Sequence, residues 1–295
     1  MKEKISITID ENMIKDIDSY VDGTKIKNRS HAIEVLLSRT LGHNRPKVAV
    51  FLLGGEGTRF RPITYELPKA LLPIQGKTVP EHLFDLFKKY GIKKFIFSLG
   101  YKAEKVKEYF GDGSKWNVEI HYVIEEKPMG SAGAIKLAKK FIGDGPFIVT
   151  NGDELKDIDI EDMFNFHKEN KAKITVALTT VTDPSAYGVA AMKGNKIMRF
   201  VEKPKKEEAP SNLINSGLSI WDFSVLKDIP EGFSMYEKDV FPKYAEKGQL
   251  SGYVFEGQWF DTGTPERYER AIKEWKGLKW VKQPYVHGEN TQYLK

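Results

Sequence analysis

No cysteine occurs anywhere in the chain, which excludes disulfide bridges and thiolate-held metals. No apolar run approaches the ~18 residues that a membrane-spanning helix needs, so no membrane partner is expected. Charge of one sign is also missing. Lysine and arginine total 46 against 41 acidic residues, and a net +5 over 295 residues does not by itself point to a nucleic acid. The opening Met1-Lys2-Glu3-Lys4 has no apolar core of a secretory leader, so a cytoplasmic location is expected. Internal repeats and low-complexity tracts are absent too. What remains is ordinary globular composition, 40% hydrophobic and 29% charged, long enough for one large unit with a small one beside it.

The most informative stretch is Leu53-Gly54-Gly55-Glu56-Gly57-Thr58-Arg59-Phe60-Arg61-Pro62, followed by Pro68-Lys69. The apolar run Val48 to Leu53 leads directly into it, as a buried strand leads into a loop. Three glycines let a backbone approach a ligand closely. Exposed N–H groups with two fixed cations beyond, Arg59 and Lys69, suit a polyphosphate. The spacing is not that of a Walker A loop. Phe60 stands where a dinucleotide fingerprint would carry its third glycine.

Residues 1–44 read as a module of their own, with residues 45–295 as the second domain. Ile5-Ser6-Ile7-Thr8-Ile9 alternates strictly and reads as a strand with the isoleucines on one face. Asp10 can cap a helix carrying Met13, Ile14, Ile17, Tyr20 and Val21. Ser30 can cap a second, with Ile33, Leu36 and Leu37 on one side. One strand and two helices cannot close a core alone, and a lone strand has two open edges. Antiparallel pairing with a second copy is the expected remedy, giving a homodimer or higher assembly. This segment resembles the ribbon-helix-helix family through the Ile5/Ile7/Ile9 strand, Asp10-Glu11, and Asn28-Arg29-Ser30-His31-Ala32-Ile33. The resemblance implies that Lys4, Ser6 and Thr8 face the major groove of duplex DNA. Against this, residues 1–47 hold nine basic and seven acidic residues, a net of only +2, and duplex affinity rests on phosphate neutralisation. A plain dimerisation module is the alternative.

From Lys47 onward short apolar strands (47–53, 93–99, 118–124, 146–150) alternate with helical patterns (79–90, 102–110, 131–142). That alternation implies an α/β, Rossmann-like, mostly parallel sheet with ligands beyond the carboxyl ends of its strands. Later strands, at 173–182, 187–192, 197–201, 215–221 and 251–256, are more scattered and read as an α+β extension. A last helix spans about 265–276.

Four later segments carry chemistry: Met129-Gly130-Ser131-Ala132-Gly133, Asn151-Gly152-Asp153, Glu202-Lys203-Pro204, and Asp261-Thr262-Gly263-Thr264-Pro265. Singly, each also reads as tight packing, a helix cap or a solvated turn. In this order, together with Gly54 to Pro62 and Pro68-Lys69-Ala70-Leu71-Leu72-Pro73, they resemble the sugar-nucleotide pyrophosphorylases over about residues 47–275. Leu53 and Ala70 stand where that family usually carries alanine and proline. The resemblance implies a sugar-1-phosphate nucleotidyltransferase that joins a nucleoside triphosphate to a sugar 1-phosphate and releases pyrophosphate. It assigns Leu53, Gly54, Gly55, Gly57 and Thr58 to the triphosphate, and Gly130 and Ser131 to the base. Arg59 and Lys69 hold the leaving pyrophosphate, and Lys203 the sugar phosphate. Tyr187, Gly188, Glu202, Asn215 and Gly217 line the sugar, so the α+β extension beyond about residue 172 is expected to bind it. Asp153 and Asp261 match ligands of Mg²⁺, a hard cation suited to few carboxylates plus phosphate oxygens. Glu125-Glu126-Lys127-Pro128 looks more like the guanylyl than the thymidylyl branch, which favours GTP with mannose 1-phosphate. Glucose 1-phosphate with UTP or dTTP is the alternative. A DNA-binding regulator that senses a sugar nucleotide is the other.

Overall fold

In the computed structural model, which describes residues 5–24, 26–41 and 45–279, the alternation expected after residue 47 is present. The N-terminal helices are also present, α1 (Glu11–Ser19) and α2 (Arg29–Leu41). The Asp10 side chain accepts from the Asn12 N–H and caps α1. Arg29 grips Asp18 through two bonds of 2.7 and 2.6 Å, joining the helices. The expected strand over 5–9 is not formed in the single chain. A strand needs a partner for its N–H and C=O groups, and one copy supplies none. Ile5 and Ile7 are left 69% and 55% exposed, and Ser6 and Thr8 are exposed as well. Lys4 lies outside the described residues.

Beyond the linker come β1 (Val48–Leu52), a small hairpin of β2 (Pro73–Ile74) and β3 (Lys77–Thr78), then α3 (Val79–Lys88) and β4 (Lys94–Leu99). Thr78 and Glu81 cap α3 reciprocally, each side chain bonded to the other's backbone N–H. Next are α4 (Ala103–Phe110), β5 (Glu119–Ile124), α5 (Gly130–Leu137), α6 (Lys139–Ile142), β6 (Phe147–Asn151), β7 (Glu154–Lys156) and α7 (Ile160–Glu169). The chain continues through β8 (Ile174–Thr180), β9 (Gly188–Lys193), β10 (Lys196–Glu202), β11 (Leu213–Trp221), α8 (Phe241–Glu246), β12 (Leu250–Val254), β13 (Trp259–Asp261) and α9 (Pro265–Glu274). No helix among the described residues is long and apolar enough to cross a membrane.

One nine-stranded sheet runs β5-β4-β1-β6-β11-β8-β12-β10-β9. The half around β1 is parallel, as expected. The other half is mixed: β11 runs antiparallel to both β6 and β8, and β10 to β9 and β12. The later strands are therefore not a separate extension. They continue the first sheet, because β11 seats its Leu218–Trp221 end directly beside β6.

Side-chain alternation along β1 splits the core into two layers. Ala49 and Phe51 face one, Val48 and Val50 the other. Phe51 meets Phe84, Phe87, Phe95 and Phe97 with ring centroids 5.1 to 5.8 Å apart. Across the sheet, Trp221 packs with Tyr236 and Phe241. Burying one such side chain is worth about 1.5–3 kcal/mol, so these layers hold the strand ends, and the loops leaving them, in fixed positions.

Candidate active site

The glycine loop leaves the carboxyl end of β1. Each of its glycines answers a different constraint. A Cβ on Gly54 would meet Glu125 Oε1 at 2.8 Å. Gly57 sits at φ +64°, and a Cβ there would meet Thr64 Cγ2 at 2.9 Å and Lys69 Cβ at 3.1 Å. Beside Gly55 there is open space: no protein atom lies within 4 Å of where its Cβ would be. Thr58–Phe60 then forms a single 3₁₀ turn anchored by the buried Phe60, whose ring lies 5.6 Å from Lys69 Nζ. Leu53 is buried, and its Cδ2 fills the space over Gly152, so its side chain belongs to the core.

A short ladder links the segments that carry the two carboxylates. β7 and β13 pair antiparallel with Asp261 opposite Glu154. The Thr262 N–H and hydroxyl both donate to the Asp153 carbonyl, at 3.0 and 2.7 Å. Lys69 Nζ lies 2.5 Å from Asp153 Oδ2. Burial resists ionisation of Asp153, yet the Lys69 charge and hydrogen bond, with Lys156 further off, hold its carboxyl below the usual range. Asp261 accepts from Arg267 Nη1 and from the Gly263 N–H, both at 2.5 Å, and from the Tyr187 hydroxyl at 3.1 Å. Arg59 Nη1 donates to the Gly263 carbonyl at 3.2 Å. Arg59, Lys69, Asp153 and Asp261 thus share one end of the sheet, the carboxyl end of β1 and β6. Among the described residues no group of three or more His, Asp or Glu could hold a metal. Two carboxylates that leave most positions to a ligand's phosphate oxygens fit a hard divalent cation.

Beyond Asp261 lie the residues assigned to the sugar. Tyr187 packs edge-on to Trp259 and under the Arg267 guanidinium. Gly188 pairs with Glu202 across β9 and β10, and a Cβ there would strike the Phe200 ring at 2.4 Å. Asn215 accepts from the Gly217 N–H at 2.9 Å. Gly217 has φ +65°, and a Cβ would come within 2.3 Å of Glu154 Oε1. Lys203 lies 3.3 Å from Glu202 and holds a left-handed φ of +48°, a conformation that costs a non-glycine residue energy. Its N–H donates to the Tyr187 carbonyl at 2.9 Å.

Gly130 and Ser131 are placed differently from the other candidates. A Cβ on Gly130 would lie 2.4 Å from the Ser234 carbonyl, which accepts from the Ala132 and Gly133 N–H groups. The Ser131 hydroxyl donates to Glu237 at 2.9 Å and accepts from the Tyr236 N–H at 3.0 Å. This helix start is braced by residues 234–237. Glu125 links it to the glycine loop, since Glu125 Oε2 accepts from the Met129 N–H while Oε1 lies beside Gly54.

Several site residues escaped the sequence reading. Glu154 is buried and accepts from Asn151 at 2.8 Å and Trp259 at 2.9 Å. Burial raises its pKa, with Asp153 and Asp261 adding to the rise against Lys156. Lys156 is wholly buried, 3.6 Å from Glu154, and burial lowers its pKa. In the sequence only Asp153 of Asp153-Glu154-Leu155-Lys156 was singled out. Only the alternation of Glu154 and Lys156 about buried Leu155 hinted at a strand. Arg267 offered the weaker signal of a cation in the first turn of α9.

The glycine loop, the cations Arg59 and Lys69 and the carboxylates Asp153 and Asp261 lie at one end of the sheet, an arrangement suited to nucleotidyl transfer between phosphates. The chain belongs to the nucleotidyl transferase family, whose model matches residues 48–276, and it is a sugar-1-phosphate nucleotidyltransferase. It is 34% identical over 257 residues to a mannose-1-phosphate guanyltransferase of Hypocrea jecorina, covering 82% of this chain and 70% of that one. To the mannose-1-phosphate guanylyltransferase of Mycobacterium tuberculosis it is 36% identical, covering 76% and 63%. Among solved structures, a putative glucose-1-phosphate thymidylyltransferase from Bacillus anthracis superposes with a TM-score of 0.71 at 27% identity, over 80% of this chain and 97% of that one. HddC from Yersinia pseudotuberculosis, complexed with GMP-PN, gives 0.66 at 28%, over 78% and 100%. The family match begins after the N-terminal helices.

The space beside Gly55 gives a test that separates ligand binding from folding. Gly55→Ala meets no protein atom, so the melting temperature is expected to stay within about 2 °C. The KM for the triphosphate is expected to rise ~10-fold or more. An unchanged KM would remove Gly55 from the binding loop.

Proposed function

We propose that the chain makes GDP-mannose from GTP and mannose 1-phosphate with Mg²⁺, in a cytoplasmic location. The observation that carries the reaction is the convergence of Arg59, Lys69, Asp153 and Asp261 at one sheet end. Two things support the substrate choice. Both curated relatives above bear that activity in their names. Glu125, beside Gly54, is an acceptor-only group when ionised. Guanine offers two adjacent N–H donors on its pairing edge, whereas uracil and thymine flank their single donor with carbonyl oxygens that a carboxylate repels.

In this reading the N–H groups of Leu53, Gly54, Gly55, Gly57 and Thr58 receive the triphosphate. A sugar-phosphate oxygen, already ionised at pH 7, attacks the α-phosphorus, and the bond to the β-phosphate oxygen breaks in line. No general base is needed, so the chain positions two polyanions and neutralises charge on the departing pyrophosphate. Arg59 and Lys69 supply that neutralisation, and Lys203 holds the sugar phosphate. Tyr187, Gly188, Glu202, Asn215 and Gly217 orient the sugar, with Glu154 beneath Gly217. Gly130 and Ser131 shape the base side by holding residues 234–237. Asp153 and Asp261 would hold Mg²⁺, which when bound screens the phosphate charges.

The N-terminal module is proposed to pair Ile5–Ile9 with the same segment of a second copy. The exposed Ile5 and Ile7 support this. Duplex DNA contact through Lys4, Ser6 and Thr8 is the accompanying reading.

Pyrophosphate release, measured over a panel of sugar 1-phosphates and the four NTPs, is expected to be greatest for mannose 1-phosphate with GTP. Arg59→Ala, Asp153→Ala and Asp261→Ala should each lower kcat ~10²-fold or more. A panel without turnover would reject the activity, and a variant with wild-type kcat would lose its assigned role. Glu125→Gln should narrow the preference for GTP over UTP, and an unaltered preference would leave the base read elsewhere. For the module, Ile7→Glu should shift the full chain toward monomer in sedimentation. Should it sediment like the wild type, the ribbon pairing is wrong.

A further inference from the structure

At the opposite end of the sheet from the glycine loop lies a cavity of about 700 Å³. Its walls are the linker residues Arg45 and Lys47, the starts of β1 and β6, and the end of α7 with the turn that follows. Its charge is lopsided. Arg45, Lys47, Lys168, Lys171 and Lys173 line it, against Asp144 and Asp222. Two of the cations are already matched: Arg45 with Glu161 at 2.7 Å and Lys173 with Asp222 at 3.2 Å. Lys47, Lys168 and Lys171 have no carboxylate partner among the described residues, and Lys168 rests on the Phe164 ring, 5.2 Å from its centroid. Lys171 holds a left-handed φ of +49°, strained for a lysine in the turn that forms the wall.

A second observation is independent of these charges. His167 lines the same cavity while being only 5% exposed. Its Nδ1 is bonded to the Thr175 hydroxyl at 2.8 Å, and its Nε2 has no protein partner among the described residues. Burial lowers its pKa to about 4, with nearby Lys173 adding to that against Asp222, so the ring is neutral at pH 7. In the tautomer whose Nδ1 accepts from the Thr175 hydroxyl, Nε2 carries the proton and can donate. A ring nitrogen open to the cavity beside three unmatched cations suits a polyanion, and the volume is that of ordinary small-molecule sites, roughly 300–1,000 Å³.

We propose that this cavity is a second site, separate from the active site, for a small phosphorylated ligand carrying two or more negative charges. Lys47, Lys168 and Lys171 neutralise the phosphate, and His167 Nε2 donates to it. Because Arg45 and Lys47 belong to the segment joining the N-terminal helices to β1, occupancy ties that segment to α7.

The test uses the full chain at constant ionic strength, titrated calorimetrically with inorganic phosphate, pyrophosphate, mannose 1-phosphate and GDP. The four ligands separate free phosphate from sugar-phosphate and nucleotide sources. Pyrophosphate is also the product of the proposed reaction, so two saturable events are expected for it. Lys168→Ala/Lys171→Ala should weaken one of them ~10-fold or more and leave kcat unchanged without added ligand. Arg59→Ala should weaken only the other. The His167 Nε2 nitrogen resonance should shift with the midpoint of the first event, and in the double variant that shift should be lost. A single event abolished by Arg59→Ala and untouched by the double variant would overturn the proposal. So would a His167 shift that chloride reproduces at equal ionic strength.

Discussion

Everything at the active end depends on one short ladder, the antiparallel pairing of Glu154–Lys156 with Trp259–Asp261. It joins residues more than a hundred positions apart, pairing Asp261 with Glu154 and so bringing the Asp153 backbone opposite Thr262. Thr262 closes the ladder by donating twice to the Asp153 carbonyl. Behind it lie the buried Glu154 and Lys156 with the half-buried Asn151 and Trp259, whose polar groups bond one another. Buried charges are costly unless paired and bonded. A misplaced partner in this layer would be felt at both carboxylates, and Gly217 is glycine because Glu154 occupies the place its Cβ would take.

Much of this was legible in the sequence, because its signals are local. The apolar runs at 47–53, 93–99, 118–124 and 146–150 became β1, β4, β5 and β6 within a residue or two, since strands of a sheet covered on both faces carry near-continuous apolar runs, as β1, β4 and β6 do. The glycine loop and the carboxylates announced themselves by residue type and order. What was not legible depends on partners distant in the chain. β7 and β13 are three residues each, too short for periodicity, and exist only through each other. The later strands looked scattered because nothing in them records that β11 would join β6 and carry them into the first sheet. Glu154 and Lys156 went unmarked because a charge is buried only when its counter-charge is brought to it.

The ends of the sheet divide the labour. Its carboxyl end holds cations already engaged in a preformed frame, Lys69 with Asp153 and Arg267 with Asp261. Its amino end meets the linker, where cations remain unmatched. The strand segment at 5–9 follows a different logic. Its alternation is clear, yet it forms no ladder in one copy, because strand structure is a property of pairs.

The central claim is that Asp153 and Asp261 act as one unit set by that ladder. A double-mutant cycle on kcat/KM for mannose 1-phosphate and GTP, with Asp153→Asn and Asp261→Asn, measures this directly, because groups acting as a unit are strongly non-additive. The expected result is a double variant within about threefold of the worse single variant. Losses that multiply would contradict the claim and make the two carboxylates independent.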